Sequence, residues 1–165
     1  KEELTNFAVE LDDREEYTAG WKFNNWELKG VPLRIELGPK DVQKDQVVLV
    51  RRDTGEKSFV KISEINKEAE KLLWEIQQNL FKKAKENMQK NTVEATKFDD
   101  LLKALEQKKL VKMQWCEKEE CVTKLKEKSE GVKLLNIPFE QPKKLNNCAV
   151  CGKKAEVLAF VAKSY

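Results

Sequence analysis

Four cysteines in two short-spaced pairs constrain the last third of this chain more than any other feature of its sequence. The pairs are Cys116-x4-Cys121 and Cys148-x2-Cys151, separated by 26 residues. Structural zinc sites draw tetrahedral thiolate ligands as two such pairs. In the second pair a tight turn lets backbone amides face the thiolates, and Gly152 supplies the flexibility that the turn needs. Because the chain contains no histidine, four thiolates are the only complete zinc ligand set that it offers. The spacing predicts a closed, structural site.

Two other states of these cysteines are compatible with the sequence, namely two disulfides or free thiols in a core. Disulfides are typical of secreted chains, whereas the N-terminus, KEELTNFAVELDD, is acidic and patterned like folded structure rather than like a signal peptide. The four-residue spacing of the first pair is wider than the usual two residues, so free thiols stay open as an alternative.

The absence of histidine and the charge balance narrow the function further. Hydrolases that depend on Ser-His-Asp or Cys-His groups are excluded, as are zinc peptidases with paired histidines. The net charge of +3, from 32 basic and 29 acidic residues, is too small to indicate nucleic-acid binding by itself. With 165 residues, 40% hydrophobic and 37% charged, the chain is expected to form one ordinary soluble domain or two small ones. No apolar run approaches the ~18 residues that a membrane span needs.

Strand-like and helix-like segments alternate through the first half, which favours an α/β layer sandwich. Alternating or continuous apolar residues predict strands at 7–11, 31–37, 46–50 and 57–62, and a short helix or ordered loop is expected over 20–28. On the strand at 31–37, Leu37 is expected to share the apolar face and Arg34 the polar face. Ser63 is a candidate cap for the clearest helix, whose apolar residues step by three and four as far as Met88.

The pattern restarts after residue 91. A possible strand at 93–95 precedes a helix that Thr96 is expected to cap, and residues 110–115 alternate as a strand. Residues 118–128 are expected to form a loop or an exposed helix, and strands are predicted at 133–139 and 156–163. These elements predict two domains, residues 1–91 ending in a long helix and a small α+β domain at residues 92–165.

The stretch from residue 17 to residue 54 carries a specific resemblance. It combines Gly-Trp-Lys-Phe at 20–23, Trp-Glu-Leu-Lys-Gly at 26–30 and Gly-Pro-Lys-Asp at 38–41 around an alternating strand. The stretch resembles the anticodon-binding domain of prolyl-tRNA synthetases of the archaeal and eukaryotic-like type. The resemblance continues to the Ser-Tyr ending, where that family keeps a small C-terminal domain. It implies an α/β fold class: a mixed-sheet anticodon-binding domain, with its first strand-helix unit missing here, followed by a small α+β zinc-binding domain.

The resemblance also implies a function. The parent protein would be a class II proline–tRNA ligase that activates proline with ATP and Mg2+ and attaches it to tRNA(Pro). No catalytic residue is expected within this segment, which would recognise the anticodon and stabilise the enzyme. The implied partners are tRNA(Pro), proline and ATP, with a homodimer formed through the parent catalytic domain, no membrane or DNA partner, and a cytoplasmic location.

Particular residues follow from the same resemblance. The family's anticodon contacts fall on Glu27, Arg34 and Lys40, and Lys57 is a weaker candidate for a backbone contact. The C-terminal carboxylate of Tyr165 would support the parent active site. Structural Zn2+ would be held by Cys116, Cys121, Cys148 and Cys151.

Two other readings of the chain stay open. One is a free-standing RNA-binding or scaffold module, and the other is the end of a fused glutamate-proline synthetase. The length and content of the encoded chain upstream of Lys1 would separate them from a proline–tRNA ligase.

Overall fold

The computed structural model describes Leu4 and residues 6–164 of the chain. The chain divides into two compact units, Lys1–Ala84 and Lys85–Tyr165. This division falls inside a long helix, and the predicted domain boundary between residues 91 and 92 stays a prediction. None of the helices in the described part of the chain has both the length and the apolar content that crossing a bilayer requires.

The first unit contains a three-stranded antiparallel sheet with helices before and after it. Helix α1 (Ala19–Leu28) precedes β1 (Leu33–Glu36), the one-turn helix α2 (Pro39–Gln43), β2 (Gln46–Arg51) and β3 (Lys57–Lys61). The strand order is β1-β2-β3, with β2 in the centre. Four consecutive residues of β2, Val47 to Val50, are buried, as the continuous apolar run of this strand predicts.

A 3-10 turn over Ile62–Glu64 leads into α3 (Ile65–Asn91), the longest helix. Its buried residues are confined to the first half, where Ile65, Ala69, Leu72 and Ile76 step by three and four. Ile65, Ala69 and Leu72 pack with Leu49 of β2 in the core of the first unit. The periodicity therefore identifies the helix, but it identifies the buried face only as far as Ile76, because Leu80, Phe81 and Met88 of the predicted apolar face are exposed.

The second unit is built on a four-stranded mixed sheet. It comprises β4 (Thr92–Ala95), α4 (Phe98–Glu106), β5 (Leu110–Trp115), α5 (Glu119–Lys128), β6 (Val132–Asn136) and β7 (Val157–Lys163). The strand order is β4-β5-β7-β6. Strands β4 and β5 are parallel and are joined through α4, since a parallel pair needs such a crossover. Strand β7 pairs antiparallel with both β5 and β6.

The core of the second unit lies against the alternating face of β5. Val111, Met113 and Trp115 are buried, as their alternation predicts. Leu101 and Leu105 of α4 are fully buried in the same cluster, which extends to the cysteines at the end of β5.

The structure confirms the predicted α/β class and corrects several details. Parallel pairing occurs in the second sheet, whereas the described strands of the first sheet are all antiparallel, because short connections between consecutive strands allow only that pairing. Residues 7–11 do not form the predicted strand. Leu37 lies beyond the end of β1 and is 59% exposed.

The two predicted helix caps are also wrong. Ser63 lies inside the 3-10 turn rather than at the start of α3. Lys97, not Thr96, occupies the N-cap position of α4, and its side chain makes no capping hydrogen bond. Of the loop or exposed helix predicted for residues 118–128, the structure shows a helix, α5, which begins at Glu119 and buries Cys121 and Leu125. The prediction for Tyr165 lies outside the described residues.

Candidate nucleic-acid interface and metal centre

Asp12 fixes the position of α1. Its carboxylate accepts two hydrogen bonds from Arg14, at 2.8 and 2.7 Å, and one from Trp26 Nε1 at 2.8 Å. Lys22 Nζ donates to the main-chain oxygen of Asp12 at 3.3 Å. The hydrogen bonds from Arg14, followed by that from Trp26, hold the pKa of Asp12 well below its usual range, although desolvation opposes them. The Trp26 side chain thus anchors α1 to the preceding segment.

Arg34 forms the centre of a polar cluster on β1 and α1. Its Nη1 donates to Glu27 Oε1 at 2.5 Å, and its Nε donates to Glu36 Oε1 at 3.0 Å. The guanidinium carbon lies 4.1 Å from the centre of the Phe23 ring. Lys57 of β3 pairs with the second Glu36 oxygen at 3.3 Å. The Arg34 side chain is held in one geometry from three sides.

This cluster combines a fixed cation with an accessible anion. The Arg34 side chain is 19% exposed and that of Glu27 is 44% exposed, so the carboxylate can be reached from solvent. No protein group in the described part of the chain bonds Arg34 Nη2. A planar guanidinium held by carboxylates and an aromatic ring keeps its remaining donor oriented. The arrangement can offer one donor and one carboxylate to the same planar ligand.

The structure brings together two of the three predicted anticodon residues. Glu27 and Arg34 are in contact, whereas Lys40 lies in the first turn of α2, directly after β1, and is exposed. No ion pair or hydrogen bond links Lys40 to Glu27 or Arg34 among residues 6–164. Glu36 and Phe23 are not among the predicted site residues. Strand alternation places Glu36 on the same face as Arg34, and Phe23 is an aromatic residue that the sequence assigns to a core rather than to the site.

The four cysteines converge at one point of the second unit. Their sulfur atoms all lie within 4.8 Å of one another, and three of the four residues are buried. Cys116 Sγ lies 3.5 Å from Cys121 Sγ and 3.7 Å from Cys151 Sγ, and Cys148 Sγ lies 4.0 Å from Cys121 Sγ. A tetrahedron of thiolates around zinc, with Zn–S near 2.3 Å, has edges of about 3.8 Å. The sulfur positions therefore fit a four-thiolate zinc ion.

The turns around the cysteines support the same arrangement. Gly152, with a φ of 72°, lies in the left-handed region that glycine tolerates, and its N–H donates to Cys148 O at 2.9 Å. Burial raises the pKa of Cys116 and of Cys121, whereas a backbone hydrogen bond from Lys153 lowers the pKa of Cys151 to about 7. No disulfide joins any of the four.

Comparison with protein families matches both units. The anticodon binding domain family matches residues 1–72. The prolyl-tRNA synthetase C-terminal domain family matches residues 98–165, which contain all four cysteines. The fold and these two matches identify the class of protein: the chain consists of an anticodon binding domain and a C-terminal domain of an aminoacyl-tRNA synthetase.

Curated relatives specify the synthetase. The chain is 44% identical over 160 residues to a proline–tRNA ligase of Alkaliphilus oremlandii, covering 96% of the chain and 33% of that protein. It is 48% identical over 147 residues to a proline–tRNA ligase of Natranaerobius thermophilus, covering 88% of the chain and 30% of that protein. It is 44% identical over 166 residues to proline–tRNA ligase 2 of Bacillus cereus, covering 100% of the chain and 35% of that protein.

The chain belongs to the prolyl-tRNA synthetase family. It spans about a third of the length of the curated relatives that it matches. The names of these bacterial relatives do not state their type, so the archaeal and eukaryotic-like type stays a prediction.

Proposed function

We propose that this chain is the C-terminal part of a proline–tRNA ligase, which activates proline with ATP and Mg2+ and attaches it to tRNA(Pro). The relatives named proline–tRNA ligase, at 44% identity over nearly the whole chain, support this parent activity. We assign no catalytic residue to this segment. The parent enzyme would be a cytoplasmic homodimer, dimerised through its catalytic domain.

The role of the first unit is recognition of the tRNA(Pro) anticodon by Glu27, Arg34 and Lys40. Proline anticodons carry guanine at their second and third positions. Guanine offers N1–H and N2–H donors, which suit the Glu27 carboxylate, and O6 and N7 acceptors, which suit Arg34 or Lys40. The observation that carries the proposal is the Glu27–Arg34 pair at 2.5 Å, with Arg34 resting on Phe23. One guanine would find both kinds of partner side by side there.

The role of the second unit includes a structural zinc ion, held by Cys116, Cys121, Cys148 and Cys151. Four thiolates complete a tetrahedral shell and leave no open position for a substrate. The sulfur spacing supports this assignment. When bound, the ion would fix the turn after β5 to the turn before β7.

The test is Arg34→Ala in the parent enzyme. Losing a base-edge contact costs about 1–3 kcal/mol, so the KM for tRNA(Pro) should rise about fivefold or more. Proline-dependent ATP–pyrophosphate exchange should stay nearly unchanged, because it does not use the tRNA. The matched control is Arg52→Ala, an exposed arginine of the same unit. Equal losses in both assays would make Arg34 a structural residue and remove the proposal.

The remaining alternatives are a free-standing RNA-binding or scaffold module and the end of a fused glutamate-proline synthetase. The full reading frame distinguishes them. A single proline-activating catalytic domain upstream supports the proposal, a second synthetase upstream supports the fusion, and the lack of any catalytic domain supports the module.

A further inference from the structure

A second basic surface lies in the second unit. The segment at residues 141–155, here called the basic hairpin, contains four lysines and no acidic residue. Its two halves run antiparallel, since Cys148 N donates to Lys153 O at 2.7 Å and Ala155 N donates to Asn146 O at 3.0 Å. The lysines are Lys143, Lys144, Lys153 and Lys154, and all four are exposed.

Among the described residues, the charges of the basic hairpin have no ion-pair partner. No salt bridge among the residues that the structure describes involves any of its four lysines. An isolated β-bridge places Asn147 directly opposite Lys154, and residues opposite each other in an antiparallel pair point to the same face. Lys144 is three residues from Asn147, a reach of roughly 10 Å at most. Lys154 therefore shares a face of the basic hairpin with the Asn147 amide, and the backbone of Lys144 lies within that reach of the same amide.

A cavity of about 490 Å³ opens between the basic hairpin and the start of α4. Cys148, Ala149, Val150 and Gly152 of the following turn line another part of the cavity. The lining contains no carboxylate. Hydroxyl, amide, ammonium and aromatic groups line it instead, from Thr96, Lys97, Phe98, Gln114, Asn146 and Asn147. Such a lining can accept an anionic, hydroxyl-rich ligand without electrostatic repulsion.

We propose that the basic hairpin and this cavity bind the sugar-phosphate backbone of RNA, as a contact additional to the Arg34 cluster. Exposed lysines bind phosphates through release of condensed counterions, without reading sequence. The amides and the Thr96 hydroxyl suit the 2′-hydroxyl, which donates and accepts hydrogen bonds. The choice of RNA among polyanions rests on the proposed function, in which the chain binds tRNA. The contact itself is independent of which bases Arg34 recognises.

The experiment measures binding of the full chain to two labelled transcripts. One is tRNA(Pro), and the other is the same transcript with its two anticodon guanines replaced. Fluorescence anisotropy gives Kd over a range of salt, from about 50 to about 200 mM. The variants are Lys143→Gln with Lys144→Gln, and Lys153→Gln with Lys154→Gln. The matched control is Lys126→Gln with Lys128→Gln, which removes two exposed charges from α5 of the same unit. Metal content and circular dichroism are recorded for each protein.

Each hairpin variant should weaken binding of both transcripts equally, by about three- to tenfold, and reduce the slope of log Kd against log salt by about 1–2. Asn147→Ala should weaken binding about twofold or more and leave the salt slope unchanged, because it removes a cavity amide without changing charge. Hairpin variants that behave like the α5 control overturn the proposal, and an unchanged affinity in Asn147→Ala overturns the role of the cavity. Arg34→Ala should instead reduce the difference between the two transcripts and leave the effect of the hairpin variants unchanged. Failure of the hairpin contact and failure of anticodon recognition are thereby distinguished.

Discussion

Arg51 and Asp53 form a bidentate ion pair at the turn that joins β2 to β3. Arg51 Nε donates to Asp53 Oδ1 at 3.1 Å, and Arg51 Nη2 donates to Oδ2 at 3.0 Å. The Asp53 side chain is only 1% exposed, and Asn79 of α3 donates a further hydrogen bond to it at 2.5 Å. Arg51 Nη1 also bonds Glu75 of α3 at 2.9 Å. The pair therefore fastens the hairpin of the sheet to the long helix.

This ion pair predicts an acid-dependent loss of stability. The hydrogen bonds from Arg51, and then that from Asn79, lower the pKa of Asp53 from 3.8 to about 2, against the opposing effect of burial. The pKa of Asp53 is lower in the folded protein than in the unfolded chain. The Arg51–Asp53 pair therefore makes its full contribution to the free energy of unfolding above about pH 4, and this contribution is lost as the pH falls through about 2. At about 1.4 kcal/mol per pKa unit, the pair contributes about 2 kcal/mol at neutral pH.

Asp53→Asn should lower the free energy of unfolding by about 2 kcal/mol at neutral pH and by much less near pH 2. Urea unfolding followed by tryptophan fluorescence measures this, because Trp21, Trp26 and Trp74 lie in the first unit. Asp13→Asn, which changes an exposed carboxylate, serves as the control and should have little effect. A difference between Asp53→Asn and wild type that does not depend on pH would contradict the assignment.

Glu27→Gln tests the proposed contact between Glu27 and the Watson–Crick edge of an anticodon guanine. A carboxylate accepts from both N1–H and N2–H, whereas an amide in the same place offers one acceptor and one donor. The variant should therefore bind tRNA(Pro) less well and discriminate less between guanine and adenine, by about 1–3 kcal/mol. Competition binding with anticodon-substituted tRNA(Pro) measures the preference. Retention of the full preference for guanine would show that Glu27 only positions Arg34.

Cys148→Ser tests the metal centre. The wild-type chain should contain one zinc ion and the variant none, because a structural tetrahedral site needs all four thiolates. Structural zinc contributes directly to folding, so amides in residues 110–164 should exchange faster with solvent while those of the first unit do not change. Native mass spectrometry and hydrogen exchange provide the two readouts. A metal-free wild-type chain with a fully protected second unit would refute the prediction.

The local sequence pattern predicted where helices and strands lie better than it predicted which strands pair with one another. The alternation of β5 and the three-and-four periodicity in the first half of α3 follow directly from which side chains are buried. Both elements were predicted close to their limits, although the second half of α3 keeps the periodicity with its apolar side chains exposed. Residues 7–11 alternate for the same reason, since Phe7 and Val9 pack against the first core. They still form no strand, because alternation reports burial and does not supply a neighbouring strand for the backbone to pair with.

The same limit applies to the sites. Cysteine spacing predicted the cluster of four sulfur atoms. Each pair of cysteines is already close within its own turn, so a single contact between the two turns brings all four together. The contact of Arg34 with Glu27 and Phe23 depends on how α1 packs beside β1, for which the local pattern gives no signal. The Arg51–Asp53 pair was missed because a charged pair beside a turn has the composition of an ordinary solvated loop.

Gly131→Ala should destabilise the second unit. Gly131 has a φ of 74°, and an added Cβ would lie 3.1 Å from the main-chain oxygen of Ser164. The left-handed conformation costs about 1 kcal/mol for alanine, and the close approach adds to this cost because backbone cannot move aside easily. Gly152→Ala is the comparison variant. Gly152 has a φ of 72°, and an added Cβ there would meet no atom of a non-adjacent residue within 4 Å, so this variant carries the conformational cost without the steric one. Thermal unfolding should show a larger decrease in Tm for Gly131→Ala, and equal decreases would exclude the steric contribution.

Deletion of Tyr165 from the parent enzyme tests whether the end of the chain supports proline activation. Ser164, the last described residue, is held by its N–H donating to Gly131 O at 2.8 Å. Loss of Tyr165 leaves this hydrogen bond in place and removes one aromatic side chain, while the terminal carboxylate moves back to Ser164. If the original carboxylate makes charge-assisted hydrogen bonds near the active site, kcat for ATP–pyrophosphate exchange should fall and the Tm of the second unit should not change. The control is Tyr165→Phe, which keeps the ring and the carboxylate and should retain activity. Unchanged kcat in the deletion would make the terminus dispensable, because chain ends commonly tolerate truncation.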